Sequence, residues 1–319
     1  MGNCCGQEAK DGNDVFSIKQ GKTATVKAEA KIEIQPDISN APNLGTAMKT
    51  GIMNQIDPTV KEVENKVGSF QFIPDIDARF KDTSFLGPFK YENGATYEGQ
   101  YKDGKRHGRG RQVWSDGSVY EGYWEDDVSS IRGRLIHVEG DYYVGEWKND
   151  QASGKGKYEH NDGTIYEGEW KNDKQSGKGK ERWPDGSVYE GEYEDSLKHG
   201  YGVFTWIDGS HYKGQFHRND IQGKGQYVWA DKRSFNGDWV NNKMEGKGEF
   251  FWADGRRYVG EYKDDKKHGY GEFFWKDNRI YKGPWVNGKQ EGKATFIDES
   301  GKVREGIWKE GVRVKWTDE

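Results

Sequence analysis

The stretch Tyr166-Glu-Gly-Glu-Trp170, followed by Gly177-Lys-Gly179 and Asp185-Gly186, contains the pattern that decides the fold. In the first segment aromatic residues and glycine alternate with glutamate, which is the two-residue period of a β-strand with one buried face. The second segment alternates in the same way. Asp185-Gly186 is typical of a tight turn, in which glycine adopts a positive φ. We predict two antiparallel strands and interpret 171–176 as the hairpin loop.

The same pattern recurs along the chain every 23 residues. Each copy has Tyr-x-Gly-x-(Trp/Tyr), a later Gly-x-Gly, and a Trp and an Asx-Gly turn before the next Tyr. A period of this length indicates a repeat array in which each repeat contacts its neighbours. The repeats start at Tyr97, Tyr120, Tyr143, Tyr166, Tyr189, Tyr212, Phe235, Tyr258, Tyr281 and, in degenerate form, Arg304.

Large rings and glycines dominate the composition, with 45 Gly, 13 Trp, 18 Tyr and 14 Phe but only four Leu. Glycine weakens a strand unless a neighbour must approach closely. We therefore predict that rings of one hairpin lie over the glycines of the next, so that aromatic burial replaces an aliphatic core. The predicted fold is all-β: an elongated, single-layer antiparallel meander of β-hairpins. The shortage of leucine excludes leucine-rich repeats, and no apolar run is long enough to span a membrane.

These motifs, at this spacing, resemble the MORN repeat (membrane occupation and recognition nexus). The resemblance covers 85–316, with a half-repeat at 85–96. It implies membrane–cytoskeleton scaffolding and, in some members, lipid binding or dimerisation. Choline-binding repeats are also rich in Trp, Tyr and Gly, but they are exported, and we expect no export signal after Met1.

Several positions depart from the repeat. Ile131 replaces the first glycine of the second repeat, and His137 replaces its tryptophan. Lys232 and Asn278 stand where other repeats have the turn glycine. Asparagine tolerates a positive φ, whereas lysine is less comfortable there.

The chain begins Met1-Gly2-Asn3-Cys4-Cys5-Gly6, and we interpret residues 1–6 as a lipidation signal. Gly2 is the acceptor for myristoylation, although Gly6 stands where serine or threonine is usual. Cys4 and Cys5 are the only cysteines and are predicted palmitoylation sites. One myristoyl chain binds a membrane only weakly, so that stable attachment needs a second signal.

Residues 7–56 are polar and are predicted to form a flexible, disordered tether. Asp57 as N-cap, Pro58 and Gly68 predict one short helix near 58–67, which is either transient or packed on the sheet. We predict that residues 57–84 combine this helix with an aromatic capping segment. We also predict that residues 69–88 pack on the first strands, through Phe70, Phe72, Phe80 and Phe85.

No catalytic, cofactor or metal site is expected. The region outside the repeats leaves no room for the lipid-kinase or methyltransferase domain that some relatives carry, and the Gly-x-Gly motifs are strand residues rather than phosphate-binding loops. His107, His199 and His268 recur in repeats that are not adjacent and lack zinc spacing. The net charge of −5 argues against nucleic acid as a partner.

Two surfaces are candidates for binding. The first, a cationic cluster for anionic lipid headgroups such as phosphoinositides, comprises Lys102, Lys105, Arg106, Arg109 and Arg111. The second, a protein-facing set of outward apolar residues, comprises Tyr201, Val203, Val259 and Tyr270. The last strand is an open edge that a second copy could pair with to form a homodimer.

We therefore predict a non-enzymatic scaffold, anchored by acyl chains at the cytoplasmic face of a plasma, ciliary or vesicular membrane, that binds an unidentified protein. Two alternatives stay open. The repeats themselves could read phosphoinositide headgroups, or the protein could be an axonemal or cortical component of the cytoskeleton.

Overall fold

A computed structural model describes residues 54–317 of the chain. These residues divide into two compact units, an N-terminal unit of residues 54–207 and a C-terminal unit of residues 208–317. The predicted lipidation sites Gly2, Cys4 and Cys5, and nearly all of the predicted tether, lie outside the described residues. Within residues 54–317, no helix is both long enough and apolar enough to cross a membrane.

The N-terminal unit contains two short helices followed by eleven strands. Strands that are consecutive in the chain pair antiparallel, so the sheet is a meander. The elements are α1 (Pro58–Val67), α2 (Pro74–Asp77), β1 (Ser84–Lys90), β2 (Thr96–Lys102), β3 (Lys105–Val113), β4 (Val119–Glu125), β5 (Val128–Ile136), β6 (Tyr142–Lys148), β7 (Gln151–Glu159), β8 (Ile165–Lys171), β9 (Lys174–Arg182), β10 (Val188–Glu194) and β11 (Leu197–Thr205).

The C-terminal unit contains eleven strands, which also pair antiparallel in chain order, and β18 pairs with both β19 and β20. The predicted all-β fold and the short helix at 58–67 are confirmed. The strands are β12 (His211–His217), β13 (Asp220–Val228), β14 (Ser234–Val240), β15 (Lys243–Phe251), β16 (Arg257–Lys263), β17 (Lys266–Phe274), β18 (Ile280–Val286), β19 (Lys289–Gln290), β20 (Gly292–Ile297), β21 (Val303–Lys309) and β22 (Val312–Trp316).

The hairpin turn within a repeat is shorter than the sequence suggested. Between β8 and β9 it consists of Asn172 and Asp173 alone, with φ of 50° and 64°. Two positive φ values belong to a turn whose twist matches that of the flanking strands. Residues 174–176 therefore belong to β9, and the prediction of a loop over 171–176 was wrong. Gly177 and Lys178 of β9 form a bulge opposite the step from Gly168 to Glu169, and this bulge shifts the pairing register of the two strands.

The bulge is held by a side chain that recurs in register. The first glycine of each Gly-x-Gly has a positive φ, as at Gly154 (81°), and the next N–H turns away from the ladder. That N–H donates to a carboxylate or amide nine residues earlier in the chain. Lys155 N thus lies 3.2 Å from Glu146 Oε1, and Lys224 N lies 2.9 Å from Gln215 Oε1. These acidic or amide side chains satisfy a backbone donor that the ladder leaves unpaired.

The core lies on one face of each sheet and consists of rings over glycines. The ring of Tyr143 is fully buried over Gly145 and Gly156, where any Cβ would overlap its atoms. Trp147 and Trp170 contact the same ring edge-on, with centroids 5.3 and 5.1 Å away. Trp170 Nε1 also donates to Gly156 O at 3.2 Å. Tyr143 therefore covers the glycines of its own hairpin, and only Trp170 comes from the next hairpin. The prediction that the rings of one hairpin lie over the glycines of the next was wrong for the tyrosine.

Candidate interaction surface

The face of each sheet opposite the aromatic core, here called the outer face, carries the residues that alternate with the rings and glycines. In the N-terminal unit, helix α1 lies on this face. Asp57 caps the helix, because its Oδ1 accepts from Thr59 N at 2.8 Å. Val60 is fully buried, and Val63 and Val67 pack beside it. The strand residues that form this cluster with Val60 are Val113, Val119, Ile136 and Tyr142.

Ionic contacts flank the apolar seam beneath α1. Glu64 lies 2.6 Å from Arg111, and Lys66 lies 2.6 Å from Glu159. Beyond the helix end, Arg134 donates to the carbonyl of Gly68. Of the two predictions for this helix, transient or packed, the structure shows the packed one, on the outer face of the sheet.

The aromatic segment after α1 is fixed around Tyr123, an outer-face residue of β4. Tyr123 Oη accepts from Ile73 N at 2.7 Å, and the rings of Phe72 and Phe80 lie 5.3 and 5.9 Å from the Tyr123 ring. Phe70 and Phe80 are buried, but Phe85 is 66% exposed. The predicted packing is therefore correct for the first three phenylalanines and wrong for Phe85.

The five cations predicted as a headgroup site do not form one exposed patch. Arg106 is only 3% exposed, lies on the core face 3.9 Å from the Trp124 ring, and pairs with Asp127. Arg109 pairs with Asp77 and Arg111 with Glu64. Sequence reasoning counted charges within one hairpin, whereas these carboxylates come from the helical segment and the next turn. Three members are exposed, Lys102, Lys105 and Arg109, and of these Arg109 is held by Asp77.

The residues predicted to face a protein lie on the outer face but in two different units. Tyr201 is 50% exposed and Val203 is half-buried on β11 of the N-terminal unit. Val259 on β16 and Tyr270 on β17 belong to the C-terminal unit, and Tyr270 is 56% exposed. Large apolar side chains in such positions mark candidate interaction sites.

Elsewhere on the outer face of both units, opposite charges pair across neighbouring strands. Lys180 lies 2.8 Å from Glu190 across β9 and β10, and its hydrogen bond lowers the pKa of Glu190. Lys293 lies 2.7 Å from Glu305 across β20 and β21. Exposed pairs of this kind contribute little stability individually, so the fold does not depend on them and their side chains are available for contacts with a partner.

A buried ion pair on the core face was missed by sequence reasoning. Lys198 lies 3.6 Å from Glu181, and both side chains are at most 10% exposed. Burial lowers the pKa of Lys198 against the opposing effect of Glu181. The Lys198 ammonium also lies 4.9 Å from the Trp183 ring. The sequence did indicate this pair, because the two-residue alternation of the strands places Glu181 and Lys198 at positions that face the core.

Within residues 54–317, no three His, Cys, Asp or Glu side chains come together to hold a metal ion.

The last strand, predicted to be an open edge, is β22. It pairs with β21, and its residues Val312 and Val314 are 54% and 60% exposed. Pairing of this strand with a second copy stays a prediction.

Comparison with known proteins identifies the family. The sequence profile described as the MORN repeat matches more than half of the chain, and the chain therefore belongs to the MORN-repeat family. The repeat at 120–142 is not matched by the profile, although β4 and β5 form there. In this repeat Ile131 takes the place of a glycine and adopts a φ of 62°. The matched residues are 97–119, 143–165, 166–188, 189–211, 212–232, 235–256, 258–278 and 281–303.

No curated protein matches the sequence. Among solved structures, the TCP10 domain of Danio rerio CPAP in complex with a STIL peptide is similar at 12% identity and a TM-score of 0.40. That match covers 73% of this chain and 99% of the domain. Virginiamycin B lyase from Staphylococcus aureus is similar at 10% identity and a TM-score of 0.15, covering 72% and 86%. Likeness at these TM-scores carries no functional conclusion.

Proposed function

We propose that the protein is a non-enzymatic MORN-repeat scaffold that binds protein partners through the outer face of its sheets. One observation carries this proposal. The core face is filled by the protein's own rings, whereas the outer face keeps large exposed apolar side chains such as Tyr201 and Tyr270. Exposed apolar residues on an otherwise charged surface are typical of interaction sites.

We further propose that acyl chains on Gly2, Cys4 and Cys5 hold the scaffold at the cytoplasmic face of a membrane. The support is the sequence Met-Gly-Asn-Cys-Cys, which combines a myristoylation acceptor with two adjacent palmitoylation sites. Two kinds of acyl chain supply the second signal that stable attachment requires.

Headgroup reading by the repeats is the weaker alternative. Three of the five cations proposed for it already have carboxylate partners, so a headgroup would have to compete with those carboxylates at Arg106, Arg109 and Arg111. An axonemal or cortical cytoskeletal role differs from our proposal in what retains the protein: contacts with filaments rather than acyl chains.

Cell fractionation separates these possibilities. The wild-type protein and a Gly2→Ala, Cys4→Ser, Cys5→Ser variant are expressed, and the membrane pellets are extracted with detergent. We expect the wild type to pellet and to be released by detergent, and the variant to be soluble. A variant that still pellets contradicts acyl anchoring. Detergent-resistant retention would then favour the cytoskeleton, and detergent release would favour headgroup binding by the repeats.

A further inference from the structure

The outer-face residues next to the Asx-Gly turns form a row that runs across the strands, here called the turn row. In the N-terminal unit four members of this row lie beneath α1 and are buried by it: Val113, Val119, Ile136 and Tyr142. The register pairs Val113 with Val119 and Ile136 with Tyr142, so these members are direct neighbours across the strands.

After these four residues, apolar members of the turn row such as Ile165 and Val188 alternate with polar ones such as Glu159 and Arg182. Six repeats later, in the C-terminal unit, phenylalanines enter the row. The corresponding residues are Phe251, Arg257, Phe274 and Ile280, and the same strand pairing places them side by side. Phe251 is 39% exposed, and Phe274 and Ile280 are half-buried. Helices occur among the described residues only at α1 and α2, in the N-terminal unit. The C-terminal turn row thus resembles the surface that α1 covers elsewhere, except that Arg257 stands at the position of Val119 with its guanidinium 4.6 Å from the Phe274 ring. No helix of its own unit lies upon this row.

The charges beside the two turn rows are reversed. Glu249 stands six repeats after Arg111, the residue that binds Glu64 of α1, and Glu272 stands six repeats after Arg134. Glu249 has a partner within the sheet, Arg257, at 3.0 Å. Arg111 likewise has the in-sheet partner Glu121 at 3.5 Å and still binds α1. An in-sheet partner therefore does not prevent such a residue from pairing with a docked helix.

We propose that the C-terminal turn row binds an amphipathic helix of a partner protein. That helix carries apolar residues at the spacing of Val60, Val63 and Val67, and a lysine or arginine where α1 has Glu64. The inference rests on the proposed scaffold function and specifies its partner class. Helices commonly dock in this way, with an apolar stripe in a groove and charges that set orientation.

The charges decide between this occupant and others. Helix α1 of a second copy would bring Glu64 against Glu249, and like charges in contact repel. An anionic lipid surface would find no net positive charge there, because Arg257 is paired with Glu249 and Lys282 with Glu272, each at 3.0 Å. A helix with an apolar stripe and a basic residue at this position is the occupant that matches both the apolar residues of the turn row and the carboxylates beside them.

The test uses the full chain and a fluorescein-labelled synthetic peptide of residues 54–73 with Glu64→Lys, titrated by fluorescence anisotropy. This peptide is mismatched to the α1 site, where its lysine would face Arg111. We expect saturable binding that is at least about tenfold tighter than that of the unaltered 54–73 peptide. Phe251→Ser with Phe274→Ser should weaken binding at least about tenfold. Val188→Ser, in the turn row of the N-terminal unit, should leave it unchanged.

A charge exchange sharpens the test. Glu249→Lys in the full chain should invert the preference, so that the unaltered peptide binds tighter than the lysine peptide. Circular dichroism of each variant confirms that it is folded. Failure of the lysine peptide to saturate, or equal binding to the Phe251→Ser, Phe274→Ser variant, would overturn the inference.

The occupant in cells is identified with a photoreactive amino acid at position 251. Adducts with a basic amphipathic segment of another protein support the inference. Adducts with residues 1–53 of this chain, with a second copy or with lipid contradict it. The same photoreactive amino acid in place of Tyr201 tests the scaffold function separately. Protein adducts at position 201, without peptide binding at the turn row, would contradict the helix-docking inference but not the scaffold function.

Discussion

Lys66 of α1 lies 2.6 Å from Glu159 of β7, and this pair holds the C-terminal turn of the helix on the outer face. Burial raises the pKa of Glu159, but hydrogen bonds from Lys66, Tyr142 and Lys157 outweigh it and lower the pKa to about 2. The hydrogen bond to Glu159 in turn raises the pKa of Lys66. The docking of α1 is therefore coupled to the charge of one carboxylate.

This coupling predicts a pH dependence. A carboxyl group whose pKa is lower in the folded than in the unfolded state stabilises the fold above its ordinary pKa of 4.5. That stability is lost as the pH falls toward 2. We expect Glu159→Gln to speed amide exchange in α1 at about pH 6, and to remove much of the acid-induced loosening seen in the wild type. Hydrogen exchange of both proteins, compared at each pH, measures this.

Glu167→Gln is the matched control, because Glu167 forms an exposed pair with Arg182 at 3.2 Å and makes no recorded contact with α1. It should leave exchange in α1 unchanged. Equal acid sensitivity of α1 in the wild type and in Glu159→Gln would show that another group controls docking.

The close packing of rings on glycines predicts intolerance of a single methyl group. Alanine at Gly156 would place its Cβ inside the fully buried ring of Tyr143. Overpacking of this kind costs about 1–3 kcal/mol, and we expect the upper end because the ring has no free space. Gly87→Ala, where a Cβ meets nothing within 4 Å, should change stability by less than about 0.5 kcal/mol. Urea unfolding compares the two, and a mild effect at Gly156 would argue against the ring-over-glycine core.

The turn at Lys232 predicts a stabilising substitution. Lys232 has a φ of 69° at a position where most repeats have glycine. Because a side chain with a positive φ is strained, Lys232→Gly should raise the free energy of unfolding by about 0.5–1 kcal/mol. The reciprocal control is Gly255→Lys, at a φ of 96° with open space around it, which should lower it by a similar amount. Effects of the same sign in both variants would contradict this explanation.

The buried Lys198–Glu181 pair predicts a large loss followed by rescue. Lys198→Met leaves the Glu181 carboxylate buried without this counter-ion and should cost about 3–5 kcal/mol. Adding Glu181→Gln removes the buried charge and keeps an acceptor for Tyr193 Oη, now 2.9 Å from Glu181 Oε2. The double variant should recover most of the loss. Additive losses in thermal unfolding would mean that the pair is not coupled.

The repeat fold was predictable because its determinants are local. The alternation in Tyr166–Trp170 assigns the strand and its buried face, and Asp185-Gly186 assigns the turn. The two-residue turn at Asn172-Asp173 was not found, because residues 174–176 at the start of β9 are all polar and because the bulge lies on β9, opposite the step from Gly168 to Glu169. A local pattern cannot reveal that an extra residue has been inserted into one strand.

The interaction surface was predictable only in part, because it depends on contacts between residues distant in sequence. The helix signals at Asp57 and Gly68 predicted α1, but not the strands on which it lies. The carboxylates of Glu64 and Asp77, which bind Arg111 and Arg109, come from outside the repeats. One signal was present in the sequence: Val113, Val119, Ile136 and Tyr142 form an unbroken apolar run at outward positions, which the charged residues Glu159 and Arg182 interrupt further along.

The most direct test of the scaffold proposal is photo-crosslinking of the membrane-attached full chain with a photoreactive residue at Tyr201 or Tyr270. Lys232, an exposed turn position, serves as the control. We predict discrete protein adducts from both tyrosine positions, few from the control, and far fewer when an excess of the wild-type protein, which has no photoreactive residue, is added before irradiation. Adducts with lipid alone, or equal protein labelling from all three positions, would contradict the claim that the outer face of the repeats binds a specific protein.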